Sequence, residues 1–189
     1  MNILVTGGNG QLGCSLRKVA GMYPQHRFVF TDVPEADITD RACIAALAEK
    51  HAIDLIVNCA AYTAVDRAES DAETAAKINV QGSEVLAGVA RERGIGLIHI
   101  STDYVFDGES CHPLKEDRPT APQGVYGRTK LAGEQAIEAS RCNACVIRTA
   151  WLYSEYGNNF VKTMLRLGRE RDELNVVYDQ VGTPTYARD

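Results

Sequence analysis

Asn2-Ile3-Leu4-Val5-Thr6-Gly7-Gly8-Asn9-Gly10-Gln11-Leu12-Gly13 opens the chain, and the fold is decided in this stretch. Ile3, Leu4 and Val5 form a short apolar run of the kind that makes a strand buried on both faces. Gly7, Gly10 and Gly13 follow at the spacing G-x-x-G-x-x-G and lead directly into a helical pattern. The first permits a tight turn, the second lets the backbone come close to a pyrophosphate, and the third lets the helix lie against the strand. The N-terminus of that helix offers unpaired N–H groups and a partial positive charge, which suits phosphate. Glycines at this spacing also mark ordinary turns. The strand before them and the helix after them make the pattern a dinucleotide-binding signature.

Further along, β-branched runs recur at Asn2 to Thr6, Phe28 to Thr31, Asp54 to Cys59, Leu97 to Ser101, Cys145 to Thr149 and Leu174 to Tyr178. Between them lie apolar stripes at helical spacing, Ile44, Leu47 and Ala48 in one and Ala75, Ile78, Val85, Leu86 and Val89 in a longer one. Steady alternation of strand and helix predicts an α/β fold, a Rossmann-type doubly wound parallel sheet covered by helices on both faces. Residues 1–189 are read as a single NAD(P)-binding Rossmann domain, because the apolar content of 45% supports one sizeable core. The longest irregular stretch, Phe106 to Val125, is long enough inside such a domain to predict a functional loop.

Composition excludes several classes of partner. The net charge is −5, from 25 acidic and 20 basic residues without long like-sign runs, which disfavours a nucleic-acid or anionic-membrane surface. No apolar run approaches the roughly 18 residues that span a bilayer, so a cytoplasmic protein is expected. The six cysteines are read as reduced thiols. Cys142-Asn143-Ala144-Cys145 has the spacing of half a metal or redox site, but nothing completes it, and no metal ligands are expected.

In a doubly wound sheet the ligand lies beyond the carboxyl ends of the strands, which points to the residues that follow each apolar run. Asp32 ends the second run, where a carboxylate accepts from the adenosine ribose hydroxyls and favours NADH over NADPH. A plain turn before Pro34 is the other reading of the same residue. Tyr126 and Lys130 stand at i and i+4, on one helix face after the long loop. A phenol with an ordinary pKa about 10 exchanges protons poorly near neutrality, and the Lys130 charge together with a bound nicotinamide is expected to lower it. Thr102 closes the fourth run with a hydroxyl that orients a substrate carbonyl. The three residues suit a carbonyl reduction in which Tyr126 gives the proton.

These residues resemble the extended short-chain dehydrogenase/reductase superfamily, which shares the glycine loop and the Ser/Thr, Tyr and Lys triad. Four strings carry a closer likeness: Thr6 to Gly13, Asn58-Cys59-Ala60-Ala61-Tyr62-Thr63-Ala64-Val65-Asp66, Ser101-Thr102-Asp103-Tyr104-Val105-Phe106-Asp107-Gly108, and Asp179-Gln180-Val181-Gly182-Thr183-Pro184-Thr185. They are similar to the dTDP-4-dehydrorhamnose reductase family. The resemblance implies reduction of the 4-keto group of dTDP-4-dehydro-6-deoxy-L-mannose to dTDP-L-rhamnose with NADPH or NADH. It implies cofactor contacts at Gly7, Gly10, Gln11, Leu12 and Gly13, at Asp37 and Ile38 near the adenine, at Ala60, Ala61 and Thr63 along the groove, and at Tyr126 and Lys130. It implies that Val65, Thr102, Asp103, Tyr104, Tyr126 and Trp151 face the nucleotide sugar. Without it, Trp151 and Tyr104 read as packing residues. It also implies a homodimer, with Mg2+ confined to full-length members, and a smaller substrate-binding lobe that is largely missing from this chain.

Two other readings share the glycine loop. A nucleotide-sugar dehydratase or epimerase returns its hydride to the sugar, but dehydratases follow the strand-end threonine with Asp-Glu, and here Thr102-Asp103 is followed by Tyr104. A non-catalytic nucleotide-binding regulatory subunit needs no triad, and Thr102, Tyr126 and Lys130 are all present.

Overall fold

The computed structural model describes all 189 residues, Met1 to Asp189. Strands β1 (Asn2–Thr6), β2 (Arg27–Phe30), β3 (Leu55–Asn58), β4 (Gly96–Thr102) and β5 (Ala144–Thr149) form one sheet in the order β2-β1-β3-β4-β5. Every neighbouring pair is parallel. The crossovers run through α1 (Gln11–Ala20), α2 (Arg41–Lys50), the short α3 (Val65–Ala68) and α4 (Ala72–Ala76), α5 (Gly82–Arg93) and α6 (Val125–Ser140). The chain leaves β1 toward β2 on one side and then returns to place β3 on the other. The direction of winding therefore reverses beside β1, and a crevice opens at the carboxyl ends of β1 and β3.

The core follows from the register. Leu4 of β1 is paired with Val29 on one side and Ile56 on the other, and Ile56 is paired with Leu97. This apolar row crosses the sheet, and Ile44 and Ala48 of α2 and Leu86, Val89 and Ala90 of α5 cover it. Leu4, Ile44, Ile56 and Leu86 are fully enclosed, and each such side chain contributes roughly 1.5–3 kcal/mol. Of the expected stripes, Ile44, Leu47 and Ala48 and then Ile78, Val85, Leu86 and Val89 face this core, while Ala75 is buried outside it.

The helical stripe from Ala75 onward conceals a defect. Between α4 and α5 the backbone widens into one π-helical turn, Lys77–Gln81, which turns the Asn79 side chain inward. Against this turn α6 approaches so closely that a Cβ on Gly133 would overlap the Asn79 carbonyl oxygen.

The strand expected from Leu174 to Tyr178 does not form. Val176, Val177 and Tyr178 are exposed, and β propensity has no effect where no neighbouring strand accepts the ladder bonds. The C-terminal part instead makes a two-stranded parallel pair, β6 (Leu152–Tyr153) with β7 (Thr185–Tyr186). Helix α7 (Phe160–Glu170) buries no residue, and Phe160, Val161 and Leu165 are exposed along it. Val146 and Ile147 of the edge strand β5 are exposed as well.

Candidate active site

The glycine loop is hydrogen-bonded to the residues after β2 and lies against those after β3. Gly8 N–H donates to Thr31 O at 2.8 Å, and Asn9 N–H donates to Asp32 Oδ2 at 2.8 Å. Gly7 lies at φ +65°, and a Cβ there would stand 2.6 Å from the Ala60 nitrogen. A Cβ on Gly13 would overlap the Gly7 carbonyl oxygen, so the third glycine sets the close approach of α1 to the loop. Gly10 is the N-cap of α1 and supplies no side-chain bond to it. The first-turn N–H groups of α1 have no acceptor within the helix. A narrow glycine cradle in front of an uncapped helix fits a pyrophosphate, and Gly10, Gln11 and Leu12 are the residues positioned to hold it.

Other expected cofactor residues divide by what their side chains already do. Asp32 accepts from Asn9 N–H through Oδ2 and from Val33 N–H through Oδ1, so it braces the loop whatever else it contacts. Gln11 reaches away from the cradle, donating to Leu152 O at 3.0 Å and accepting from Asn159 Nδ2 at 2.7 Å. Asp37 accepts from the backbone N–H and hydroxyl of Thr39, which hold its carboxyl below the usual range. Ile38 is buried in the core, where a Cβ on Gly82 would meet its side chain, so only its backbone is free for an adenine. Ala60, Ala61 and Thr63 follow β3 at the crevice, Ala60 directly against Gly7.

Thr102 ends β4 and caps a short 3-10 turn, Asp103–Val105. Its hydroxyl accepts from Tyr104 N–H at 3.2 Å and donates to Asp103 Oδ1 at 3.1 Å. Tyr126 stands in the first turn of α6, its ring 5.6 Å from that of Tyr104 at 74°. The two meet because Gly127 has no side chain: a Cβ there would overlap the Tyr104 carbonyl oxygen. Asp66, beside Val65 at the start of α3, acts electrostatically on the Tyr104 phenol, which places that helix start on the same side. Thr102, Asp103, Tyr104 and Tyr126 therefore form one cluster. Trp151 lies two residues beyond Thr149, the register partner of Thr102, but packs against Phe160 at 5.2 Å and against Gly182, with its backbone at φ +49°.

Lys130 is enclosed, with 2% of its surface exposed. Its Nζ donates to Ile100 O at 2.6 Å and lies 3.4 Å from His99 Nε2. Burial lowers its pKa from the ordinary 10.5 to about 8, against the nearby Glu134 carboxylate, which raises it. For Tyr126 the structure reverses the sequence-based expectation. Burial raises the phenol above its ordinary value, the Thr102 hydroxyl lowers it, and Asp103 and Tyr104 raise it further. The Lys130 amine is turned to Ile100 O and His99. A raised phenol keeps its proton at neutral pH, as a proton donor requires.

Four polar residues around this cluster escape a reading by periodicity. Asn79 accepts Tyr62 N–H at 2.9 Å and donates to Tyr62 O at 3.2 Å and to Thr129 Oγ1 at 3.0 Å, tying α6 to the segment after β3. Thr6, Asn58 and His99 form a buried chain that leads to Lys130. The available signal was a polar side chain set inside an apolar strand, as in Leu97-Ile98-His99-Ile100.

Comparison with known proteins places this geometry in a family. The family model described as the RmlD substrate binding domain matches residues 1–189. A dTDP-4-dehydrorhamnose reductase of Sinorhizobium fredii is 46% identical over 189 residues, covering 100% of this chain and 63% of the relative. The crystal structure of a dTDP-4-dehydrorhamnose reductase from Clostridium acetobutylicum superposes with a TM-score of 0.95 at 45% identity, over 100% of this chain and 66% of that one. The enzyme of the same name from Bacillus anthracis, solved in complex with NADP, superposes with a TM-score of 0.94 at 41% identity, over 98% of this chain and 66% of that one. The chain thus spans less than two thirds of the length of these relatives. With a match that runs from the first residue to the last, the chain belongs to the RmlD substrate binding domain family.

Proposed function

We propose that this chain carries the nicotinamide-binding and proton-donating half of a reductase acting on the 4-keto group of dTDP-4-dehydro-6-deoxy-L-mannose, giving dTDP-L-rhamnose. The observation that carries the reading is the juxtaposition, along the carboxyl edge of one parallel sheet, of an uncapped glycine cradle after β1 with the Thr102, Tyr104 and Tyr126 cluster after β4, β3 lying between the two strands. The names of the relatives and the NADP complex support the substrate class and the cofactor.

A bound NADPH or NADH supplies the hydride that adds to the keto carbon. The chain does the rest. Gly7, Gly10 and Gly13 shape the cradle, and the first turn of α1 holds the pyrophosphate. Thr102, its hydroxyl turned from Asp103 Oδ1, donates toward the substrate oxygen, and Tyr126 gives its phenolic proton to that oxygen as negative charge develops there. Lys130 is held beside the groove to bind the nicotinamide ribose. Tyr104, Asp103 and Val65 face the sugar, with Trp151 and Phe160 at its margin. The apolar surface left on β5 and α7 is the seat of a substrate-binding lobe, and its presence supports this division of the molecule. The reading extends to a cytoplasmic enzyme and to a homodimer; no helix of the chain is long and apolar enough to cross a membrane.

The test is NADH and NADPH oxidation with the keto sugar nucleotide, using a chain of the relatives' length beside Tyr126→Phe. Loss of turnover by about a hundredfold or more in Tyr126→Phe, with nucleotide binding retained, supports the assignment. Conversion of sugar without net cofactor oxidation favours the epimerase class, and no conversion at all favours a regulatory nucleotide-binding subunit.

A further inference from the structure

A buried polar chain crosses four elements beneath the crevice. Thr6 Oγ1 of β1 donates to Asn58 Oδ1 of β3 at 2.7 Å, Asn58 Nδ2 lies 3.0 Å from His99 Nδ1 of β4, and His99 Nε2 lies 3.4 Å from Lys130 Nζ of α6. Thr6, Asn58, His99 and Lys130 are each at most 2% exposed. Most buried polar groups in a sheet interior are satisfied locally, whereas these connect the base of the glycine loop to the lysine.

The direction of each bond is decided by one backbone group. Ala60 N–H donates to Asn58 Oδ1 at 3.1 Å, and a backbone N–H has no other role. The oxygen of the Asn58 amide is therefore the atom turned toward Thr6 and Ala60, and its nitrogen is the atom turned toward His99. An amide N–H facing Nδ1 requires Nδ1 to accept. A neutral imidazole carries one proton, so that proton sits on Nε2 and points at the lysine.

We propose that His99 is a positioning residue for Lys130. Asn58 locks it in the Nε2–H tautomer, so that the imidazole presents a donor to one side of the amine and leaves the donors of Lys130 for Ile100 and the cofactor groove. An N–H donor facing Nζ favours the uncharged amine, which accepts it, over the ammonium, which does not. Besides His99, the charged group acting on Lys130 is Glu134 of α6 itself, whose carboxylate is bound by Arg148 of β5 at 2.6 Å. The lowered values of both His99, to about 3, and Lys130, to about 8, accord with a site that keeps each neutral form available. The functional consequence rests on the role given to Lys130 above, whereas the tautomer does not.

The experiment reads the tautomer directly. In the 189-residue chain labelled with 15N-histidine, the His99 ring is expected to show a bare Nδ1 and a protonated Nε2, unchanged between about pH 5 and 8. An Nδ1–H form, or titration in that window, overturns the proposal without a single substitution. Asn58→Asp replaces the amide donor by an acceptor and is expected to move the ring proton to Nδ1. His99→Gln keeps a donor near the Nε2 position and should leave the titration midpoint of Lys130, followed on its ε-carbon, in place. His99→Asn, too short to reach, should let water in and raise the midpoint. Equal midpoints in all three forms also overturn the proposal. Because none of these signals requires turnover, failure of the reductase reading shows only in the activity assay and failure of the tautomer only here.

Discussion

The carboxylate of Glu69, at the end of α3, accepts the backbone N–H of Val125 through Oε1 at 2.7 Å and thereby caps the first turn of α6 across 56 residues of sequence. The N-cap residue of α6 is Gly124, which has no side chain to do so. The negative end of Glu69 also faces the positive end of the helix dipole. Glu69→Ala should destabilise the chain by about 1 kcal/mol, the typical loss of a cap, and lower Tm by roughly 2–4 °C. Thermal unfolding of Glu69→Ala beside Glu69→Gln, which keeps an acceptor, checks this; equal melting of all three forms refutes it.

Two helical glycines should respond in opposite directions to alanine. A Cβ on Gly127 meets the Tyr104 carbonyl, so Gly127→Ala forces α6 away from the 3-10 turn after β4 and should lose about 1–3 kcal/mol. Gly168 in α7 has open space around its Cβ position, and Gly168→Ala should gain about 0.5–1 kcal/mol from helix propensity. Urea midpoints of the two variants, moving apart from the parent, are the expected result.

Burial of Lys130 makes stability depend on pH in a definite sense. The lysine keeps its proton up to 10.5 in the unfolded chain but only to about 8 when folded. Between those values the unfolded chain binds more protons, so stability rises with pH through that window. The penalty below about pH 8 is on the order of 3 kcal/mol at about 1.4 kcal/mol per pH unit. The stability of Lys130→Met relative to the parent should therefore be greatest near neutrality and decline as pH climbs from about 8 toward 10. A difference that stays flat across that range would show that the amine is not held in its neutral form.

Asp32 is both a brace and a candidate reader of the ribose. Asp32→Ala removes the acceptor for Asn9 N–H and, on the proposed reading, also the like charge that opposes a 2′-phosphate. NADH binding should weaken about tenfold, some 1.4 kcal/mol, while NADPH binding changes less. Calorimetric Kd values that rise in parallel for both nucleotides would reduce Asp32 to its bracing role.

What could be read along the chain was whatever depends on near neighbours. Alternation of apolar runs with helical stripes specifies a parallel sheet, glycine spacing specifies the turn after β1, and an i to i+4 interval puts Tyr126 and Lys130 on one helix face, because each rests on residues a few positions apart. The tertiary structure decided what depends on partners far along the chain. Leu174 to Tyr178 has strand composition but no strand beside it. Tyr126 has a lysine one turn away but a phenol raised by burial, and the amine of that lysine is held by Ile100 and His99 of β4. The π-helical turn that aims Asn79 at Thr129, the cap from Glu69, and the chain from Thr6 to Lys130 all join residues separated by dozens of positions. Hydrogen bonds and desolvation act through space, and which groups share that space is set only when the sheet closes its register and the helices pack against it.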